Sequence, residues 1–342
     1  MGIANYRWQK VLHMDRKSKI GYPGILLVML CLVCGCQSPR WFKPAAAPIP
    51  MAFQAAPTTD SAVATIRRNT QGVRQLNSNI KVVMDGMPAS ATGTLLIERP
   101  DRLRMKVGVL GMTNSGIDIG SNDERFWIFN KSSFGGARPT VFYAKHAEYA
   151  NSPLHQAIQL RPQWFFDALG LVEFSPEERI EGPFPKNGNL ELIATSKTAS
   201  GDTHRVLTID AKTGVVLQQA LYDSQNRLLG WARSSKHRYY EEHQVTLPQH
   251  IELNTVGPDG KPTKLSVQIQ NSTINSLYVD PTITWTMPQP ADVPVVDLTR
   301  VDPAAFHTSI QPPGGAGYEA IEESREKPPR LSKLQGFNLF SR

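Results

Sequence analysis

A chain of 342 residues with 40% hydrophobic and 20% charged side chains, including 6 Trp, 13 Phe and 9 Tyr, has material for a sizeable core and excludes wholesale disorder. Its 37 Lys and Arg against 30 Asp and Glu give a net charge of +7, which raises nucleic acid or an anionic membrane surface as a partner. All 3 cysteines fall within the first 36 residues, so the chain beyond them offers no disulfide, thiolate metal site or cysteine nucleophile.

Arg7, Lys10, Arg16, Lys17 and Lys19 precede an unbroken apolar run from Ile25 to Cys34, the order of a secretory signal. Ten apolar residues rise only about 15 Å as a helix, roughly half the hydrocarbon of a bilayer, so a permanent span is not expected. The run ends in Val33-Cys34-Gly35-Cys36, which resembles the bacterial lipobox. That resemblance implies a signal peptide of residues 1–35, lipidation of Cys36, and attachment to a membrane through an N-terminal lipid anchor. Gln37 follows where an Asp would resemble an inner-membrane retention signal, so the resemblance places the protein in the cell envelope, at the outer membrane facing the periplasm. Without residues 1–35 the chain keeps 32 basic against 29 acidic side chains, and that near balance removes the case for nucleic acid.

Residues 36–59 are rich in Pro and Ala without helical or strand period and read as a tether. Asp60 is placed to cap a helix over 60–77, with Val63, Ile66, Val73 and Leu76 at spacings of three and four. The period then changes to two. In residues 102–109, Leu103, Met105, Val107 and Val109 alternate with Arg102, Arg104, Lys106 and Gly108, the pattern of a strand with one dry and one wet face. Similar strands are expected over 80–85, 90–98, 116–120, 125–130 and 140–145, and again over 189–195, 204–210, 215–222, 228–234, 249–256 and 264–271. Residues 155–171 interrupt the series as a helical insertion, with Pro162 suited to a first turn and Trp164, Phe165, Phe166, Leu169 and Leu171 beyond it. Pro and Gly mark 291–342 as a largely disordered tail.

The class that follows is mainly β with helices (α+β): a strongly curved antiparallel sheet or half-open β-barrel of about eleven strands over residues 60–290, covered by the N-terminal helix and the central insertion. Its catalytic inventory is thin. The sequence has no G-x-S-x-G elbow, P-loop, G-x-G-x-x-G or H-E-x-x-H. His237, His243 and His250 have spacings that fit no common zinc pattern, and the pairs Glu177-Glu178 and Glu241-Glu242 read as solvated charges. No enzyme, metal or cofactor is expected.

The order of elements, together with the stretch Gly93-Thr94-Leu95-Leu96-Ile97-Glu98-Arg99-Pro100-Asp101-Arg102-Leu103-Arg104-Met105, resembles the LolA/LolB lipoprotein-carrier superfamily. The resemblance implies an apolar cavity under covering helices that receives lipid or lipoprotein acyl chains, for reception or transport. Leu103, Met105, Val107, Trp127, Phe129, Tyr143, Trp164 and Phe165 are candidates to line it, each with plain core as the alternative. Leu110 and Met112 are candidates for a membrane-touching loop, or for packing under the barrel rim. The concentration of Arg67, Arg68, Arg99, Arg102 and Arg104 reads as a solvated cationic face, with anionic headgroups as the second reading. The rival function is a non-enzymatic scaffold lipoprotein whose contacts are other envelope proteins.

Overall fold

The computed structural model describes residues 46–84, 90–108, 116–131, 138–157, 162–198, 201–256 and 262–302. The signal peptide, Cys36, the loop residues Leu110 and Met112, and the tail beyond residue 302 lie outside the described residues. Within the stretch read as a tether, Ala52 and Phe53 are docked: both backbone N–H groups donate to the Lys212 carbonyl, at 2.8 and 3.0 Å, and the Phe53 ring is buried.

Helix α1 spans Thr59–Arg68 and is capped by Thr58, whose side chain accepts from the Ser61 N–H at 3.2 Å. Asp60 therefore sits in the first turn, where its charge meets the positive end of the helix, and not at the cap. The helix is also shorter than the 60–77 that spacing suggests. The chain turns at Gly72, where a Cβ would lie 2.8 Å from the His243 carbonyl oxygen, an approach that excludes any larger residue. Leu76 belongs instead to the period-two series of the first strand, which buries Leu76, Ser78, Ile80 and Val82 on one face.

That strand, β1 (Gln75–Met84), opens an antiparallel meander with β2 (Ala91–Glu98), β3 (Arg102–Gly108), β4 (Ile117–Ser121), β5 (Arg125–Asn130) and β6 (Thr140–Lys145). The insertion after it is three short helices, α2 (His146–Tyr149), α3 (Pro153–Ala157) and α4 (Gln163–Ala168), with Pro162 at the N-cap of the last. A second meander follows: β7 (Arg179–Lys186), β8 (Asn189–Thr198), β9 (Gly201–Asp210), β10 (Val216–Tyr222) and β11 (Leu228–Ser235). A small hairpin of β12 (Arg238–Tyr240) and β13 (Val245–Leu247) leads to β14 (His250–Val256) and β15 (Pro262–Ile274). The described residues end with α5 (Pro281–Thr284), β16 (Val295–Asp297) and one 3-10 turn, Leu298–Arg300.

Pairing of β1 with β15, from Leu76 opposite Ile274 to Met84 opposite Leu265, joins the two meanders. The result is one fourteen-stranded sheet in the order β16-β6-β5-β4-β3-β2-β1-β15-β14-β11-β10-β9-β8-β7, antiparallel except for β16 on β6. The mainly β class with a few covering helices is as expected, but two features of the expected architecture are not formed. Among the described residues the sheet has fourteen strands instead of about eleven, and its end strands β16 and β7 do not pair, so it is open and neither closed nor strongly curled. Edge chemistry accounts for both differences. Pro183 and Pro185 in β7 remove ladder donors, which obscures the strand in the sequence and blunts the edge that closure needs. At the other end β16 has only three residues and is recruited by its parallel partner rather than by any pattern of its own.

Register fixes the faces. Leu103 and Met105 on β3 stand opposite Ile97 and Leu95 on β2, and the same face continues through Ile80 and Val82, Ile269 and Val267, Ile251 and Leu253, and Ala232. Phe166 and Ala168 of α4, with Leu169 at its C-cap and Leu171 beyond, close over this face, and the Ser234 hydroxyl donates to the Ala168 carbonyl at 2.5 Å. Further along, α1 lies against β7, and Ile66 packs with Phe53, Leu192 and Leu207. The opposite face is covered near β4–β6 by the C-terminal segment, where Met287 packs with Trp127, Phe129 and Val141. Leu298 is fully buried among Phe126, Ala144, Tyr149 and Leu154, so residues 291–302, read as the start of a disordered tail, form part of the fold. Among the described residues no helix is long and apolar enough to cross a membrane.

Candidate functional site

Between α4 and the segment Glu173–Glu178, the helical cover stands off the sheet and leaves a cleft of about 470 Å³ over β9, β10 and β11. One wall is Trp164 and Asp167 from α4; the other is Phe174 and Glu178; Arg205, Gln219, Leu221 and Ala232 form the floor. Trp164 reaches the sheet because Gly230 lets it: a Cβ there would lie 2.1 Å from the indole and 2.6 Å from the Asn254 carbonyl oxygen.

A charged cluster occupies the cleft. Arg205 donates to the Glu178 carboxylate at 3.1 and 3.2 Å, to the Glu173 carbonyl at 2.9 Å and to Asp167 Oδ2 at 3.4 Å. Its guanidinium also lies 5.2 Å from the Phe174 ring centre. Glu178, read with Glu177 as a solvated pair, accepts from the Ser196 hydroxyl and the Ser175 N–H, both at 3.0 Å, and only 11% of its side chain is exposed. The sequence carries a signal for this cluster: Arg205 has the parity of Leu207 and Ile209, a base on a dry face, and Asp167 is an acid inside the apolar run Trp164 to Leu169.

Burial pushes the Asp167 carboxyl up to about 6 from its ordinary 3.8, with Arg205 opposing the shift. Between those two values the folded chain holds a proton that the unfolded chain has released. The contribution of this group to stability is therefore most favourable below the unfolded pKa and declines as pH rises through the window. The expected result is that Asp167→Asn flattens the dependence of thermal stability on pH between about 4 and 6, with the wild type losing stability relative to the variant on going up. Parallel melting profiles for the two proteins would show that the carboxyl is not perturbed.

The eight residues singled out as cavity-lining candidates divide between the faces. Leu103 and Met105 are buried in the main core, with Val107, Trp164 and Phe165 packed against it. Trp127 and Phe129, with Tyr143 beside them, belong to the cluster on the opposite face, since Trp127 stands opposite Gly120 and Tyr143, and Gly120 opposite Arg104. Of the eight, Trp164 lines the cleft.

The arginines read as a solvated cationic face are dispersed. Arg99 pairs with Glu173, Arg102 with Glu98, and Arg68 bonds Thr65. Arg104 is not solvated at all: with 6% of its side chain exposed it makes two 2.7 Å bonds to Asp118, 3% exposed, and donates to the Thr284 and Thr286 carbonyls at 2.7 and 2.9 Å. Lys131 reaches to 3.9 Å from the same carboxylate. Among the described residues no group of three or more His, Cys, Asp or Glu is placed to hold a metal ion.

Neither a protein-family model nor a curated protein matches the sequence. The fold is similar to that of a LolA superfamily protein from Nitrosomonas europaea, at 13% identity and a TM-score of 0.42, over 67% of this chain and 98% of that one. It is also similar to a proposed outer membrane lipoprotein-sorting protein domain from Vibrio parahaemolyticus, at 10% identity and a TM-score of 0.43, over 64% of this chain and 92% of that one. A DUF1329 family protein from Desulfovibrio piger gives 11% identity and a TM-score of 0.43, over 65% and 95% of the two chains.

Proposed function

We propose that this chain is a lipid-anchored protein of the cell envelope, held through Cys36 at the outer membrane facing the periplasm, which binds acyl chains of a lipid or lipoprotein in the cleft beside Trp164. The observation that carries the reading is the cleft itself. At about 470 Å³ it lies within the range of small-molecule sites, and Trp164, Phe174, Leu221 and Ala232 give it apolar walls continuous with the main core. Each buried methylene contributes about 0.8 kcal/mol, so such a site retains an acyl chain without any reacting group. A scaffold role in an envelope complex is the second reading, favoured by Tyr278 and Ile283, which are 94% and 72% exposed ahead of and within α5.

Native mass spectrometry of the full-length chain purified from a bacterial host, followed by lipid extraction, separates the two. Acyl binding predicts co-purifying lipid at a defined stoichiometry, reduced at least about tenfold by Leu221→Trp, which fills the cleft from its floor. An apo mass that takes up no added lipopeptide would move the assignment to the scaffold.

A further inference from the structure

The polar end of the cleft holds a buried acceptor that lacks a donor. Gln219 is only 7% exposed, lines the cleft, and its Oε1 has no hydrogen-bond partner among the described residues. A buried amide oxygen left without a donor costs about 1–3 kcal/mol, a cost that an arriving N–H or O–H group removes. Around it, Asp167, Glu173 and Glu178 set three carboxylates against the single lining cation Arg205. Glu173 is neutralised from outside by Arg99 at 2.7 Å, and Arg205 Nη2 is already taken by Glu178 and the Glu173 carbonyl. Asp167 is the least satisfied of the three: Gln163 and Arg205 each reach it only at 3.4 Å. Beside it stands the Trp164 indole, the best aromatic partner for a cation.

We infer that this end of the cleft is a subsite for an ammonium group carried by the acylated ligand, received by Asp167 and the Gln219 carbonyl, held in the field of the Glu178 carboxylate and stacked against Trp164. An ammonium brings three donors and one positive charge to a place with surplus acceptors and surplus negative charge. An anionic headgroup would meet the Asp167 and Glu178 carboxylates beside a guanidinium that already bonds both of them, and a neutral alcohol would bring no charge to answer theirs. Partial protonation of Asp167 near pH 6 follows the same logic: a bound cation draws that carboxyl back toward its ordinary range, so binding releases a proton.

The inference rests on the acyl-binding reading, and one experiment distinguishes their failures. Decylammonium, decanol and decanoate, which share a chain and differ in headgroup, are titrated below their micelle concentrations into the full-length chain at pH 7.5 by calorimetry. The expected result is binding of all three with decylammonium about tenfold tighter than decanoate. That preference should fall to within about twofold in Glu178→Gln and in Gln219→Leu, with a native circular dichroism spectrum and a cooperative melt as the sign that each variant is folded. Equal affinities for the three, or tighter decanoate, would overturn the ammonium subsite and leave the apolar cleft standing. No binding of any probe would overturn both. The wild-type comparison needs no variant, so the inference stays exposed even where a substitution prevents folding.

Discussion

Replacing Arg104 by alanine is expected to lower the unfolding free energy by about 3–5 kcal/mol, because it leaves the Asp118 carboxylate buried without its bidentate partner. The loss goes beyond the ion pair. The same guanidinium holds the Thr284 and Thr286 carbonyls and lies 5.2 Å from the Trp127 ring, so it ties the C-terminal segment across the sheet face that this segment covers. Arg102→Ala, two residues away on the same strand face, is the internal control. Its partner Glu98 and its own side chain are 25% and 38% exposed, and the pair is worth about 0–1 kcal/mol. Urea unfolding of the two variants checks the contrast. Similar midpoints for Arg104→Ala and Arg102→Ala would mean that the Arg104 pair is solvated in solution. Substituting Arg104 and Asp118 together by apolar residues of similar volume is expected to recover much of the loss, since the cost comes from the orphaned charge.

The Arg104 case also shows where the sequence stops being informative. Alternation over residues 102–109 correctly places Leu103 and Met105 on a buried face, and local period is enough for that. The same alternation assigns Arg104 to a wet face, and there it fails. The cover comes from residues some 180 positions later, and no local pattern announces it. Trp127 and Phe129 fall with Arg104 for the same reason: strand parity separates two faces, yet the register that puts Trp127 opposite Gly120, and Gly120 opposite Arg104, is a tertiary fact. The end of α1 is a different kind of failure. Leu76 fits both a helical spacing from Val73 and a period of two toward Ile80, and packing against Ile97 and Ile274 decides in favour of the strand. At the cleft the sequence is informative in a different way. A base at dry-face parity in β9 and an acid within an aromatic helix are each anomalous alone, and together they mark a place where the core face carries charge.

Two tryptophans that sequence reasoning put in one class are expected to respond in opposite ways. Trp127 is fully buried, wedged onto Gly120, where a Cβ would lie 2.1 Å from its ring, and it packs against Phe129, Val141 and Met287. Trp127→Ala should cost about 3–5 kcal/mol through lost transfer energy and the cavity it leaves. Acyl-probe affinity should be unchanged wherever the variant remains folded, because the ring lies on the face away from the cleft. Trp164 is only partly buried, and one side of its ring looks into the cleft. Trp164→Ala should therefore cost less stability, about 1–2 kcal/mol, while weakening decanol binding about tenfold. Unfolding midpoints and decanol titrations on both variants give a crossed pattern if the cleft is the site. Equal losses of affinity in the two variants would mean that binding follows global stability, and that the cleft beside α4 has no special part in it. Between those outcomes stands the division the fold itself makes: one tryptophan holds the C-terminal segment to the sheet, and the other leaves room beneath a helix.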